Sequence, residues 1–139
     1  MKTLIFLTAE NANLTADNKM NIFGVFNQIN APKFPAVHPI LSVVVKVGLE
    51  LGEQPNNRKM TLYLTGPDAN HQQIKMMEDI INFPARVGGL DPEHIMIIIV
   101  NGIAFPHEGT YQFLLHIDDR FLASLSLQAS ILEPAKKEG

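Results

Sequence analysis

Two stretches of strict alternation, joined by a reversal too short for anything but a hairpin, constrain this chain most. In Gly109-Thr-Tyr-Gln-Phe-Leu-Leu-His-Ile117, Tyr111, Phe113, Leu115 and Ile117 share one face, because successive strand side chains alternate sides. Thr110, Gln112, Leu114 and His116 take the other. Asp118-Asp119-Arg120 interrupts the pattern, after which Leu125, Leu127, Ala129 and Ile131 alternate with Ser124, Ser126, Gln128 and Ser130. Two or three residues between strands is hairpin length, and aromatic and branched residues suit a half-buried pleated surface. The apolar spacing of three and four that an amphipathic helix needs is missing. The stretch from Pro106 to Leu132 therefore predicts an antiparallel hairpin with one wet face.

The rest of the chain reads the same way. Lys2 to Thr8 is expected as a strand, Glu10 to Lys19 as a polar loop rich in Asn, Asp and Thr, and Met20 to Phe26 as a second strand in which Gly24 marks a bulge or close approach. Asn27 to Pro39 holds three prolines and is expected to be an irregular crossing between sheets. Ile40 to Leu51 is a long strand expected to bend at Gly48. Met60, Leu62 and Leu64 alternate with Thr61, Tyr63 and Thr65 in another one-face-wet strand. His71 to Phe83 fits helix and strand templates equally on periodicity: Ile74, Met77 and Ile81 have helical spacing, while Ile74, Met76 and Ile80 have strand spacing. Pro84 to Val87 is a possible strand extension, and Ile95 to Val100 is an apolar run of buried-strand length. Three Phe-Pro pairs, at Phe34, Phe83 and Phe105, sit at loop–strand boundaries, where phenylalanine can plug a core rim and proline ends a ladder. Seven to nine short strands without a secure helix predict an all-β antiparallel sandwich, Ig-like or jelly-roll-like, with an open barrel as the alternative.

At 139 residues the chain is expected to form one domain over residues 1–133, with 134–139 as a flexible tail. It has no cysteine, which removes thiol catalysis, Cys-ligated zinc and disulfide stapling. Net charge is −3 and no basic run is longer than a pair such as the terminal Lys136-Lys137, which speaks against a nucleic-acid binder. No apolar run approaches the roughly 20 residues needed to cross a bilayer, and Met1 to Leu7 is too short for an export signal, so a soluble cytoplasmic protein is expected.

Chemistry-bearing residues are scattered. His107, Glu108 and His116 form the best metal constellation, but no His-x-His or His-Glu-x-x-His spacing is present, and His116 lies a strand's length from the other two. Asp118-Asp119 supplies too few oxygens for calcium and suits a turn. Ser124, Ser126 and Ser130 alternate along a strand rather than occupying a nucleophile elbow, and Ser42 lies inside an apolar strand. Glu50 with Glu53 and Glu78 with Asp79 have no spacing that marks a cleft, and Gly88-Gly89 lacks a following Lys-Ser/Thr. No catalytic, cofactor-binding or metal-ligating residue is assigned.

The order Asn11-Ala12, Ile22-Phe-Gly-Val-Phe26, Phe34-Pro35, Leu62-Tyr-Leu-Thr-Gly-Pro-Asp68 and Asn101-Gly-Ile-Ala-Phe-Pro-His-Glu-Gly-Thr-Tyr-Gln-Phe113 resembles a family of small bacterial β-sandwich proteins of unknown function. The resemblance implies a strand at His71 to Ile80 and carries over no catalytic residue. It also implies Asp-Gly where this chain has Asp118-Asp119, a substitution that strains the turn by about 1 kcal/mol if φ is positive.

The functional expectation is a non-enzymatic module that binds a protein partner or self-associates as a dimer. The alternative is a sandwich that binds carbohydrate or peptide, or hydrolyses with a metal, through the His107 and Glu10 to Lys19 loops. Both faces of Ile95 to Val100 and of Val43 to Val47 are apolar, although a sandwich strand needs only one face toward its core. A homo-oligomeric interface is expected to cover the second face.

Overall fold

The computed structural model describes residues 1–68 and 73–132. Nine strands follow in order: β1 (Lys2–Leu14), β2 (Met20–Phe26), β3 (Gln28–Ala31), β4 (Ala36–Gly48), β5 (Arg58–Thr65), β6 (Ile74–Ile81), β7 (Glu93–Phe105), β8 (Gly109–Ile117) and β9 (Arg120–Ile131). They form two sheets, ordered β2-β1-β4-β7 and β3-β9-β8-β5-β6, and no helix occurs among the described residues. This is the expected all-β sandwich, and not a closed barrel. The one departure from an antiparallel arrangement is β3, which runs parallel to β9.

Alternation explains the core. Tyr111, Phe113, Leu115 and Ile117 from β8 meet Met60, Leu62 and Leu64 from β5 and Leu127 and Ala129 from β9 on one inner face, while β4 supplies Leu41, Val43, Val45 and Val47 from the other. Ile131 is the exception to the β9 pattern: it ends the strand beside β3 and is exposed. All three Phe-Pro pairs behave as rim plugs, with Phe34, Phe83 and Phe105 packed on the core and the prolines exposed.

Several boundaries differ from the sequence reading. Between Asn27 and Pro39, expected to be irregular, Gln28–Ala31 forms β3 and Ala36 already begins β4. Gly48 ends β4 rather than bending it. Pro84 to Val87 adds no strand, and only a bridge between Val87 and Leu90 forms in that loop. Ile74–Ile81 is a strand, whereas His71 and the tail at 134–139 lie outside the described residues.

The largest difference concerns β1, which continues through most of the expected Glu10 to Lys19 loop. Lys2 pairs with Gly48 and Gly48 with Glu93, so β1 and β7 start at the same end of the sheet. A straight β1 would carry Leu14 about 40 Å from that end. Instead Leu14 and the turn residue Asn18 line one cleft with Glu93, His94 and Ile95. β1 parts from β4 after Ala9 and continues paired only with β2, past Glu10 and a Gly24 with φ of 65°. The β1–β2 hairpin therefore doubles back across the outer face of β4 and β7.

That fold-back answers the question posed by the two-sided apolar β4. Val43 points into the core and Val44 points outward beside Leu7 and Ile97, yet both are 0% exposed. Ser42, Ala9 and Ala12 are buried on the same side as Val44 or beneath the hairpin. The expectation that a second copy must cover Val43 to Val47 is corrected here: the chain covers them itself.

Candidate interaction surface

The structure separates the residues that could have made a metal centre. His107 sits in the β7–β8 loop, its Nε2 3.5 Å from Asp68 Oδ2, with both side chains exposed. The Tyr111 hydroxyl donates to the His107 carbonyl at 2.7 Å and accepts from the His107 N–H at 3.1 Å, so this corner is organised by the buried tyrosine. His116 lies at the far end of β8 on the outer face, edge-on to Tyr63 at 5.0 Å and to Phe121 at 6.1 Å. Among the described residues no three His, Cys, Asp or Glu side chains converge.

The remnant of the polar loop is a closed turn. Thr15 N–H donates to the Lys19 carbonyl at 2.8 Å, Asn18 N–H to the Thr15 carbonyl at 3.0 Å, and the Thr15 hydroxyl bonds Asp17. That hydroxyl, with Lys19 beside it, holds the Asp17 carboxyl below its ordinary range. Its polar groups are thus engaged with one another.

Two other candidate places are similarly built for structure. Arg86 Nη1 lies 2.5 Å from Asp91 Oδ1 and Lys2 Nζ 3.0 Å from Asp91 Oδ2, while Arg86 Nη2 donates to the Leu49 carbonyl at 3.2 Å. These contacts staple the loop between β6 and β7 onto the end of β4, leaving an open cleft of about 530 Å³ bordered by exposed Val87 and Leu90. On the second sheet, Ser124 and Ser126 line the wet outer face as expected of an ordinary strand.

Large apolar side chains are exposed on β2 (Phe23, Val25), on β9 (Phe121) and also on β7. The partners of β7 across the ladder fix which side each residue takes: Ile98 faces Val43 and Met96 faces Val45, so these point inward with Val100, while Ile95, Ile97 and Ile99 point outward. At Gly102, where φ is 65°, the alternation slips, and the inward positions become Ile103 on β7 and His38 on β4. Because of that slip Val37 and Ile40 both face outward although they are three residues apart. Beyond the fold-back hairpin, the β4–β7 ribbon therefore presents Val37 (67% exposed), Ile40 (48%) and Ile99 (57%), with Asn101 and Ala104 between them and no charge.

β7 is also an edge strand, bonded to β4 on one side only. Sheet edges expose unpaired N–H and C=O groups and are normally blunted by charge, proline, bulges or shortness. Two of the other edges have such devices: β3 has four residues, and β6 carries Lys75, Glu78 and Asp79 with a register shift opposite Leu62 and Tyr63. β2 is seven residues long with Gly24, at a φ of 65°, in its middle, whereas the glycine of β7 with the same φ, Gly102, lies beyond the Ile95 to Asn101 stretch. Between Ile95 and Asn101, β7 has none of them. The sequence marks the apolar run but not its covered face, because Glu10 to Leu14, the part of β1 that carries the hairpin over it, has the Asn-rich composition of a loop.

The profile of a family of unknown function (DUF6941) matches residues 4–130. Among solved structures, an immunoglobulin-like protein from Pseudomonas aeruginosa is similar at 16% identity, over 88% of this chain and 90% of that one, with a TM-score of 0.38. A likeness this distant carries no functional inference. No curated protein matches the sequence.

Proposed function

Since this chain belongs to the DUF6941 family, whose function is unknown, we propose a role from its surface: a non-enzymatic interaction module that self-associates through β7. The observation that carries this reading is the combination, on one strand, of an unblunted sheet edge and an outward apolar face centred on Ile99. Apolar surface of this kind, uncharged and mounted on a hydrogen-bonded ribbon, is what protein contacts bury. A second copy is favoured as the occupant because the exposed stretch carries no charge, so two chains of net charge −3 can meet there without opposing carboxylates.

Sedimentation equilibrium tests the reading. The wild type is expected to dimerise in the micromolar range, and Ile99→Lys, at a position already more than half exposed, is expected to keep the wild-type circular dichroism spectrum, to melt at a temperature that no longer rises with protein concentration, and to run as a monomer. A variant that dimerises as the wild type does would overturn it.

A further inference from the structure

We infer that two copies join by pairing their β7 edges antiparallel, so that the sheets ordered β2-β1-β4-β7 run together into one continuous sheet across a two-fold axis beside Ile99. This rests on the self-association proposed above and specifies its geometry. The rival geometry is stacking of the outward faces. It would leave the free N–H and C=O groups of the β7 edge without partners. Edge pairing adds backbone hydrogen bonds along the strand and buries the exposed flanks of the isoleucines on both of its faces.

The pairing stretch follows from what each part of the edge offers. Near Glu93 to Ile95 the tip of the β1–β2 hairpin stands beside the strand, and at Gly102 the ladder is interrupted. Ile97 to Asn101 is left, five residues, which is ordinary strand length. Antiparallel pairing about Ile99 sets Ile99 opposite its own copy and Ile97 opposite the copy's Asn101. Inward residues then continue inward across the join, Ile98 meeting Val100, so the side-chain parity of both cores is kept. Glu93 falls outside the overlap, and no like charges face each other.

The chain has no cysteine, so a single introduced thiol reports the axis. Facing residues of an antiparallel pair have Cα atoms about 4.5–5.5 Å apart, within the span a disulfide bridges. Ile99→Cys is expected to form a covalent dimer under mild oxidation, at the wild-type sedimentation coefficient. Ile40→Lys, which lies on β4 away from the edge, is expected to leave dimerisation intact. If Ile40→Lys abolishes the dimer, or if Ile99→Cys dimerises without crosslinking, edge pairing is overturned while self-association through β7 stands. If the wild type stays monomeric up to about 200 µM, both fall.

Discussion

Arg58 Nε lies 2.6 Å from Asp118 Oδ2, tying the start of β5 to the β8–β9 reversal. The same carboxylate accepts the Lys59 N–H at 2.9 Å through its other oxygen, and the Asp118 N–H donates to the Lys59 carbonyl at 2.8 Å. Asp118 and Asp119 both have positive φ, 51° and 65°, as a two-residue hairpin turn demands. The first aspartate is held there by three bonds to β5. The second has only a mostly exposed ion pair to Lys59 at 2.7 Å.

The two turn positions should therefore respond oppositely to glycine. Asp119→Gly is expected to raise stability by up to about 1 kcal/mol, because glycine adopts positive φ without the side-chain penalty and little is lost with an exposed ion pair. Asp118→Gly gains the same backbone relief but loses its bonds to Arg58 and Lys59, and should be neutral or destabilising. Urea midpoints of the two variants check the contrast; equal effects would mean that the carboxylate bonds contribute nothing.

Acidification should weaken the fold in two separate windows. Burial against Phe83 depresses the His94 pKa below 6.5, and Asp79 only partly opposes this. As pH falls through about 6.5 the unfolded chain takes up a proton that the native chain resists, so stability declines there. The Lys59 N–H, with help from Arg58, lowers the Asp118 pKa, so its contribution is present above about pH 4 and is lost as pH falls through the folded value. In thermal melts His94→Leu should flatten the first window, and Asp118→Asn should shallow the second.

Gly109 has φ of 138°, and a Cβ there would come within 2.7 Å of the Pro67 side chain. The proline ring cannot swing aside as a flexible chain would. Gly109→Ala is expected to cost about 2 kcal/mol, from backbone strain and overlap together, read as a lowered denaturation midpoint. Gly24→Ala, which would meet only the flexible Glu10 side chain at 2.8 Å, should cost less.

The parity of β7, open in the sequence, is now fixed and makes a sharp comparison. Ile98→Lys places an unpaired ammonium against Val43 and should unfold the domain, while Ile99→Lys should fold. Circular dichroism separates the two outcomes. A folded Ile98→Lys would contradict the inward assignment.

Period-two patterning was enough to read the β8–β9 hairpin, which has one dry and one wet face, and to turn Met60, Leu62 and Leu64 of β5 inward, but the other face of β5 is not wet, since Thr61 is buried there and Tyr63 and Thr65 are half-buried. It failed where the backbone breaks its own alternation. At Pro39 and Gly102 both strands of a ribbon slip parity together, so Val37 and Ile40 join one side and no simple pattern marks the patch. Asn11 and Asn13 carry turn-forming composition, yet they lie in a strand because the hairpin they belong to packs Ala12 downward and leaves them wet. Tertiary burial overrode local propensity there, and the cover for Val44 went unread with it.

Amide hydrogen exchange along β7 at two protein concentrations reads the pairing of its free edge residue by residue. Amides between Ile97 and Asn101 whose N–H groups face the free edge are expected to gain protection between about 1 and 200 µM, while amides of the interior strand β8 do not change. Exchange in Ile97 to Asn101 that is the same at both concentrations would contradict the pairing.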